Sequence, residues 1–193
     1  MKVPGVETGD SVPHEKGKAQ MKTVIVLAMH GVPPKDFPPK EMREFFELHG
    51  RLEMSPVSPS PVLERRYDEL GDKIKRWPRT PLNDPYHAAS YELARALQNE
   101  CHITVIVGFN EFCSPDIDEA IAQAVTEGAD KIIVITSMMT RGGEHAERDI
   151  ALAVSRARQK FPGVEMIYAW PFETAGIARF LAEHIKRYIP DAK

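Results

Sequence analysis

Four short runs of apolar, mostly β-branched residues constrain the fold more than anything else in the chain: residues 23–28 (TVIVLA), 103–107 (ITVIV), 131–136 (KIIVIT) and 164–168 (VEMIY). They are nearly continuous rather than alternating, so each reads as a strand buried on both faces. The segments after the second, third and fourth runs carry helical period instead. In the first of these, Ser114 is placed to cap a helix with Pro115 at its first position and Asp116 and Glu119 in its first turn. Its apolar residues Ile117, Ala120, Ile121, Ala124 and Val125 share one face, and Gly128 ends it. Residues 143–160 repeat the pattern through Ile150, Ala153, Val154 and Ala157. Residues 174–188 repeat it through Ile177, Phe180, Leu181, Ile185 and Tyr188. Strand and helix alternating at this spacing imply right-handed βαβ crossovers, hence an α/β fold with a four-stranded parallel sheet flanked by helices.

One stretch breaks the rhythm. Residues 32–90 hold ten of the sixteen prolines and no β-like run. Helical patterns cover 40–48, 62–77 and about 86–99. The last leads into the second strand and reads as the original crossover helix. So long a connection without structure does not suit a compact domain, so a helical insertion at about 32–85 is expected, folded as a cap. Its aromatics, Phe37, Phe45, Phe46, Tyr67 and Trp77, would form a lid if the chain worked alone.

The 193 residues suit one domain, here 22–193, and 1–21 read as a loose tail without the apolar run of a signal peptide or membrane span. The expectation is a soluble, cytoplasmic chain. A net charge of −3 with no basic stripe argues against nucleic acid as a partner. Cys101 and Cys113, twelve positions apart, match neither a redox pair nor a zinc half-site and read as idle reduced thiols.

In open parallel sheets, ligands bind beyond the carboxyl ends of the strands. Three side chains of metal-binding type fall there: His30 directly after the first run, Glu111 after the second, and His145 beyond the third at the start of a helix. Two imidazoles and a carboxylate suit borderline divalent ions such as cobalt, nickel, iron or zinc. A helix N-terminus also favours neutral imidazole, the form that binds metal. Other histidines fit less well. His102 sits at the wrong end of a strand, His184 on the apolar face of the last helix as a core or interface residue, His49 and His87 in the insertion and His14 in the tail. Met138 and Met139 read as packing residues. A histidine-phosphatase pairing of His30 with His145 lacks the arginine before the first histidine, where Met29 stands.

Several motifs then resemble a known family: Gly108-Phe109-Asn110-Glu111-Phe112 with Ser114-Pro115-Asp116, the run from Gly128 through Ile135, and Gly143-Glu144-His145 with Asp149-Ile150. They are similar to the class II chelatases of tetrapyrrole biosynthesis, in particular the CbiX-type sirohydrochlorin cobaltochelatases, over residues 22–30 and 101–188. The resemblance implies a chelatase-like, flavodoxin-like fold, and it places the family's metal-site residues on His30, Glu111 and His145. It implies ATP-independent insertion of a divalent metal, cobalt first with nickel or iron as alternatives, into a sirohydrochlorin-type tetrapyrrole. No nucleotide is expected, and there is no P-loop motif. His30 and His145 would hold the metal and Glu111 would take pyrrole protons. Arg141, with Gly142 and Gly143, would contact the substrate's carboxylates. For Arg65, Arg66, Arg76 and Arg79 the choice lies between that role and a solvated surface, with the surface preferred. A homodimer is implied as well. The alternative is a metal or tetrapyrrole binder without turnover. The chain departs from the family pattern in Val32-Pro33-Pro34 after His30-Gly31, in Thr136-Ser137 and Ala151 where prolines are usual, and in the insertion.

Overall fold

In the computed structural model, which describes residues 21–54 and 60–189, the four apolar runs become β1 (Thr23–Met29), β2 (Thr104–Phe109), β3 (Lys131–Thr136) and β4 (Glu165–Tyr168). They form one parallel sheet in the order β2-β1-β3-β4. The register sets Ala28 of β1 opposite both Gly108 of β2 and Thr136 of β3, so three strands end level with one another. Because the chain steps from β1 outward to β2 and back to β3, the loops that leave these three strands meet at a topological switch point.

The insertion holds two helices, α1 (Pro39–Met54) and α2 (Pro61–Lys75), and is followed by α3 (Pro85–Cys101). Three of its prolines, Pro39, Pro61 and Pro85, stand first in a helix. The Ser60 side chain caps α2 and the Asp84 side chain caps α3, each directly before a proline whose missing N–H is one that a helix start leaves unpaired anyway. The helix α4 (Ile117–Thr126) starts two residues later than the sequence suggested. Its cap is Asp116, not Ser114: Asp116 accepts from the Glu119 N–H at 2.9 Å, while Glu119 accepts from the Asp116 N–H at 2.8 Å. This reciprocal pair outcompetes the serine, whose hydroxyl donates to Glu119 instead. Beyond β3, a single π turn (His145–Asp149) runs straight into α5 (Ile150–Lys160).

Val24, Val26, Ala28, Ile132 and Val134 line the sheet face that receives α4 and α5, and Ile121 and Ile150 are fully buried against them. Such an isoleucine contributes about 1.5–3 kcal/mol on burial. The other face packs Leu27, Met29, Val107 and Phe109 on Ala94 of α3. The insertion has a small core of its own, in which Phe37, Phe45 and Leu48 meet Leu70 and Ile74.

The last helix departs from expectation. The apolar face of α6 (Thr174–Ile185), on which His184 was read as a core or interface residue, stays uncovered: Phe180, Leu181 and Ile185 are 60%, 50% and 51% exposed, and His184 is exposed too, its ring beside Tyr188. His184 is therefore no core residue. Among the described residues, no helix is long and apolar enough to cross a membrane. The expected tail lies, apart from Met21, outside the described residues, as does His14.

Candidate metal centre

The ladder between β1 and β2 continues past both strands, with Asn110 N–H donating to the Met29 carbonyl at 2.8 Å and Glu111 N–H to the His30 carbonyl at 3.0 Å. These two rungs make His30 and Glu111 neighbours at the sheet edge. Close approach there requires Gly31: it sits at φ 97°, and a Cβ would lie 1.9 Å from the Glu111 carbonyl oxygen. Gly31→Ala is accordingly expected to lower the melting temperature and to weaken divalent-metal binding together. Parallel thermal melts and metal titrations check this, and a variant unchanged in both would refute it.

The π turn brings His145 to the same place, and the ligand atoms of His30, Glu111 and His145 all lie within 4.8 Å of one another. Glu111 Oε1 stands between the two imidazoles, 3.0 Å from His30 Nδ1 and 3.3 Å from His145 Nε2, and the ring centroids are 4.7 Å apart. His30 Nδ1 is buried and, despite that short distance, makes no hydrogen bond of acceptable geometry. An unpaired buried nitrogen is costly to a fold, and a cation between the two imidazoles would satisfy it. Two nitrogens and one oxygen, on side chains that are all partly exposed, form a donor set suited to a borderline divalent ion.

Two further residues shape the site. The other ring nitrogen of His145, Nδ1, lies 2.7 Å from Asp149 Oδ2. Donation from Nδ1–H to that carboxylate fixes the tautomer that leaves the Nε2 lone pair facing Glu111. Asn110 Nδ2 lies 2.9 Å from the same ring nitrogen and 3.5 Å from Asp149 Oδ2. With Nδ1 protonated, its amide can donate only to the carboxylate. Partial burial pushes the Asp149 carboxyl up, but the hydrogen bonds from His145, Arg148 and Asn110 more than reverse this and hold it below the ordinary carboxylate value. Asp149 follows His145 by four positions, a spacing that signals a shared helix face, and reading for metal ligands alone passed over it.

Arg141, Gly142 and Gly143 lie exposed in the loop before the π turn. The Gly142 N–H donates to Glu147 Oε1 at 2.7 Å, and Arg141 makes no hydrogen bond or ion pair among the described residues. Arg66 pairs with Glu44 and Arg76 with Asp72, while Arg65 is exposed. Arg79 fits neither expected role. Its side chain is 6% exposed and bonded to Asp84, itself fully buried, at 2.7 Å, and it also donates to the carbonyls of Val32, Ile74 and Phe112. One guanidinium thus ties the loop after His30, the loop after Glu111, the end of α2 and the start of α3. Cys113, beside it, is buried and its thiol is pushed up to about 11, mainly by burial, which makes it the idle thiol expected. Met138 packs on the core.

Comparison with known proteins places this chain in a family. The CbiX family pattern matches residues 83–189, more than half of the chain. The chain is 45% identical over 47 residues to a sirohydrochlorin cobaltochelatase of Methanopyrus kandleri, covering 24% of this chain and 32% of that protein. It is 32% identical over 72 residues to a sirohydrochlorin cobaltochelatase of Priestia megaterium, covering 37% and 23%. The matched segments thus span about a third or less of those relatives. Among solved structures, the sirohydrochlorin chelatase SirB from Bacillus subtilis subspecies spizizenii in complex with cobalt is similar at a TM-score of 0.44 and 16% identity, over 88% of this chain and 51% of that one. Since the family's pattern runs from the start of α3 through the last helix and takes in both Glu111 and His145, the chain belongs to the CbiX family.

Proposed function

We propose that the protein inserts a divalent metal, cobalt first and nickel or iron as alternatives, into a sirohydrochlorin-type tetrapyrrole in the cytoplasm and without a nucleotide. The observation that carries this reading is the carboxylate oxygen of Glu111 standing between two imidazole nitrogens at the sheet edge, in a chain of the CbiX family. Insertion exchanges two pyrrole protons for one cation, so the reaction needs a metal perch beside a proton acceptor. His30 and His145 provide the perch. Glu111 takes the pyrrole protons in succession and passes them to water, with which its side chain, 30% exposed, is in contact. The metal enters as substrate and leaves in the product. Arg141, exposed and without a protein partner among the described residues, is available to the macrocycle's carboxylates, and Gly142 and Gly143 let the loop approach them.

The test is direct. Incubating the protein with sirohydrochlorin and Co2+, Ni2+ or Fe2+ and following the absorption spectrum should show insertion faster than in buffer. Equal rates would overturn the assignment, and tight Co2+ binding with no acceleration would favour a carrier without turnover.

The exposed apolar face of α6 supports a homodimer as the working form. Light scattering is expected to give about twice the 21.7 kDa of the chain. Leu181→Asp, on that face, is expected to give the monomer mass. A monomeric wild type would refute the dimer.

A further inference from the structure

The inserted hairpin of α1 and α2 lies outside the residues that the CbiX pattern matches, yet it forms most of the wall of a cavity of 240 Å3 that opens beside Glu111. Three features of that cavity bear on what it could hold, although Tyr67 and Phe112 also pack on the core of the insertion. The first is aromatic surface left standing at its mouth. Phe46 of α1 is 47% exposed, with its ring 6.2 Å from that of Phe112, and Tyr67 of α2 is half-buried, nearly parallel to Phe45 at 4.8 Å. By contrast, Phe37 and Trp77, the other aromatics of the hairpin, pack on each other away from the cavity.

The second feature is Gly71, in the interior of α2, where glycine is the poorest helix former after proline. A Cβ there would meet only Phe45, at an ordinary contact distance of 3.5 Å, so the fold does not demand glycine. What glycine leaves open is the cavity floor. The third is Phe112, the residue after Glu111, held at φ 58°, a left-handed conformation that a bulky residue rarely adopts. Arg79 grips its carbonyl, and the ring faces Phe45 and Phe46. A strained backbone therefore presents an aromatic ring at the cavity, one residue from the carboxylate of the site.

Charge gives the shelf a direction. Asp68 and Lys75 both line the cavity from α2, seven residues or about 10 Å apart along the helix; Asp72 between them pairs with Arg76, and Lys75 Nζ lies 3.5 Å from Asp116 Oδ2, a long and partly solvated pair that a ligand carboxylate would share. We propose that the inserted hairpin is an aromatic shelf for one face of a planar conjugated macrocycle, which would meet the mutually inclined rings of Phe46, Tyr67 and Phe112 with its edge at Glu111 and its carboxylate arms towards Lys75. A cavity of 240 Å3 is smaller than the roughly 300–1,000 Å3 of pockets that engulf a ligand, as suits a shelf that supports rather than encloses. The identity of the macrocycle as a tetrapyrrole rests on the function proposed above; the shelf itself does not require turnover.

The experiment titrates metal-free sirohydrochlorin into the full chain by absorbance, with Co2+ affinity measured separately by calorimetry. Gly71→Leu, which fills the floor, is expected to weaken macrocycle binding at least 10-fold, and Phe46→Ala several-fold, both with Co2+ affinity unchanged. Lys75→Gln is expected to weaken it at low salt and much less at high salt, and no change in that variant would overturn the orientation. Should Gly71→Leu fail to fold, Phe46→Ala decides, because its side chain is at the surface. Wild-type affinity in both shelf variants would overturn the shelf while leaving wild-type chelation intact. Absence of chelation with macrocycle binding still sensitive to both variants would overturn the proposed function and leave the shelf standing. A wild-type chain that binds no macrocycle would overturn the shelf.

Discussion

Replacing His145 by alanine is expected to remove most Co2+ affinity from the protein, with little change in its melting temperature. His145 supplies one of three donor atoms, and its Nε2 is the one aimed at Glu111 from the far side of the site. Losing an outer partner of a metal-bound histidine typically costs roughly 10–100-fold in affinity, and losing the ligand itself costs more. Asp149 provides the comparison. Asp149→Ala removes the group that holds the tautomer, and a loss of roughly 10–100-fold is expected. Asp149→Asn keeps an acceptor for Nδ1–H and should recover part of it. Stability should hardly move, since His145 and its two acidic neighbours are all partly solvated and such pairs are worth roughly 0–1 kcal/mol. Calorimetric titration with Co2+ and the visible spectrum of the bound ion read the result. Unchanged Co2+ affinity in His145→Ala would mean that the metal is held elsewhere.

The reason His30, Glu111 and His145 could be singled out from sequence is that strand ends are the easiest positions to locate in a parallel α/β chain. Four β-branched runs fix the sheet, and whatever follows a run by one to four residues must lie at its carboxyl edge. For His145, nine residues beyond β3, the convergence also needed a π turn, a backbone hydrogen-bonding choice that leaves no residue-type signature. Asn110 and Asp149 stood in the motifs that carry the family resemblance, but their part in the site went unread for a different reason. They support the site through hydrogen bonds to other side chains, and polar residues in such roles look like ordinary loop and helix surface. The displaced start of α4 was legible in principle, since Asp116 and Glu119 have capping-box spacing and Ser114 lacks a partner at its own third position. The exposed face of α6 could not be foreseen. Periodicity reveals that a helix has an apolar side but says nothing of what covers it, and here nothing among the described residues buries Phe180, Leu181 or Ile185.

Arg79 is where sequence reasoning failed most, and it is where stability should be most sensitive. An arginine in a polar, proline-rich stretch gives no sign of burial, because its partners are three carbonyls and a carboxylate that only the tertiary fold assembles. Arg79→Ala leaves the Asp84 carboxylate, fully buried, without its cation. Breaking a buried pair in this way costs about 3–5 kcal/mol, which for a domain of this size lowers Tm by roughly 6–20 °C. Arg79→Lys should rescue little, since an ammonium cannot match the planar fork that reaches Val32, Ile74, Phe112 and Asp84 at once. The double variant Arg79→Met with Asp84→Leu removes both charges and should regain part of the loss, because exchanging a buried pair for apolar side chains is far less costly than orphaning one charge. The site should feel the change as well. Without Arg79 no other described residue donates to the Phe112 carbonyl, so its left-handed backbone can relax and carry Glu111 away from His30. Thermal melts paired with Co2+ titrations of the folded fraction separate the two effects. A single variant melting within about a degree of wild type would show that Arg79 is not the strut that joins the insertion to the sheet.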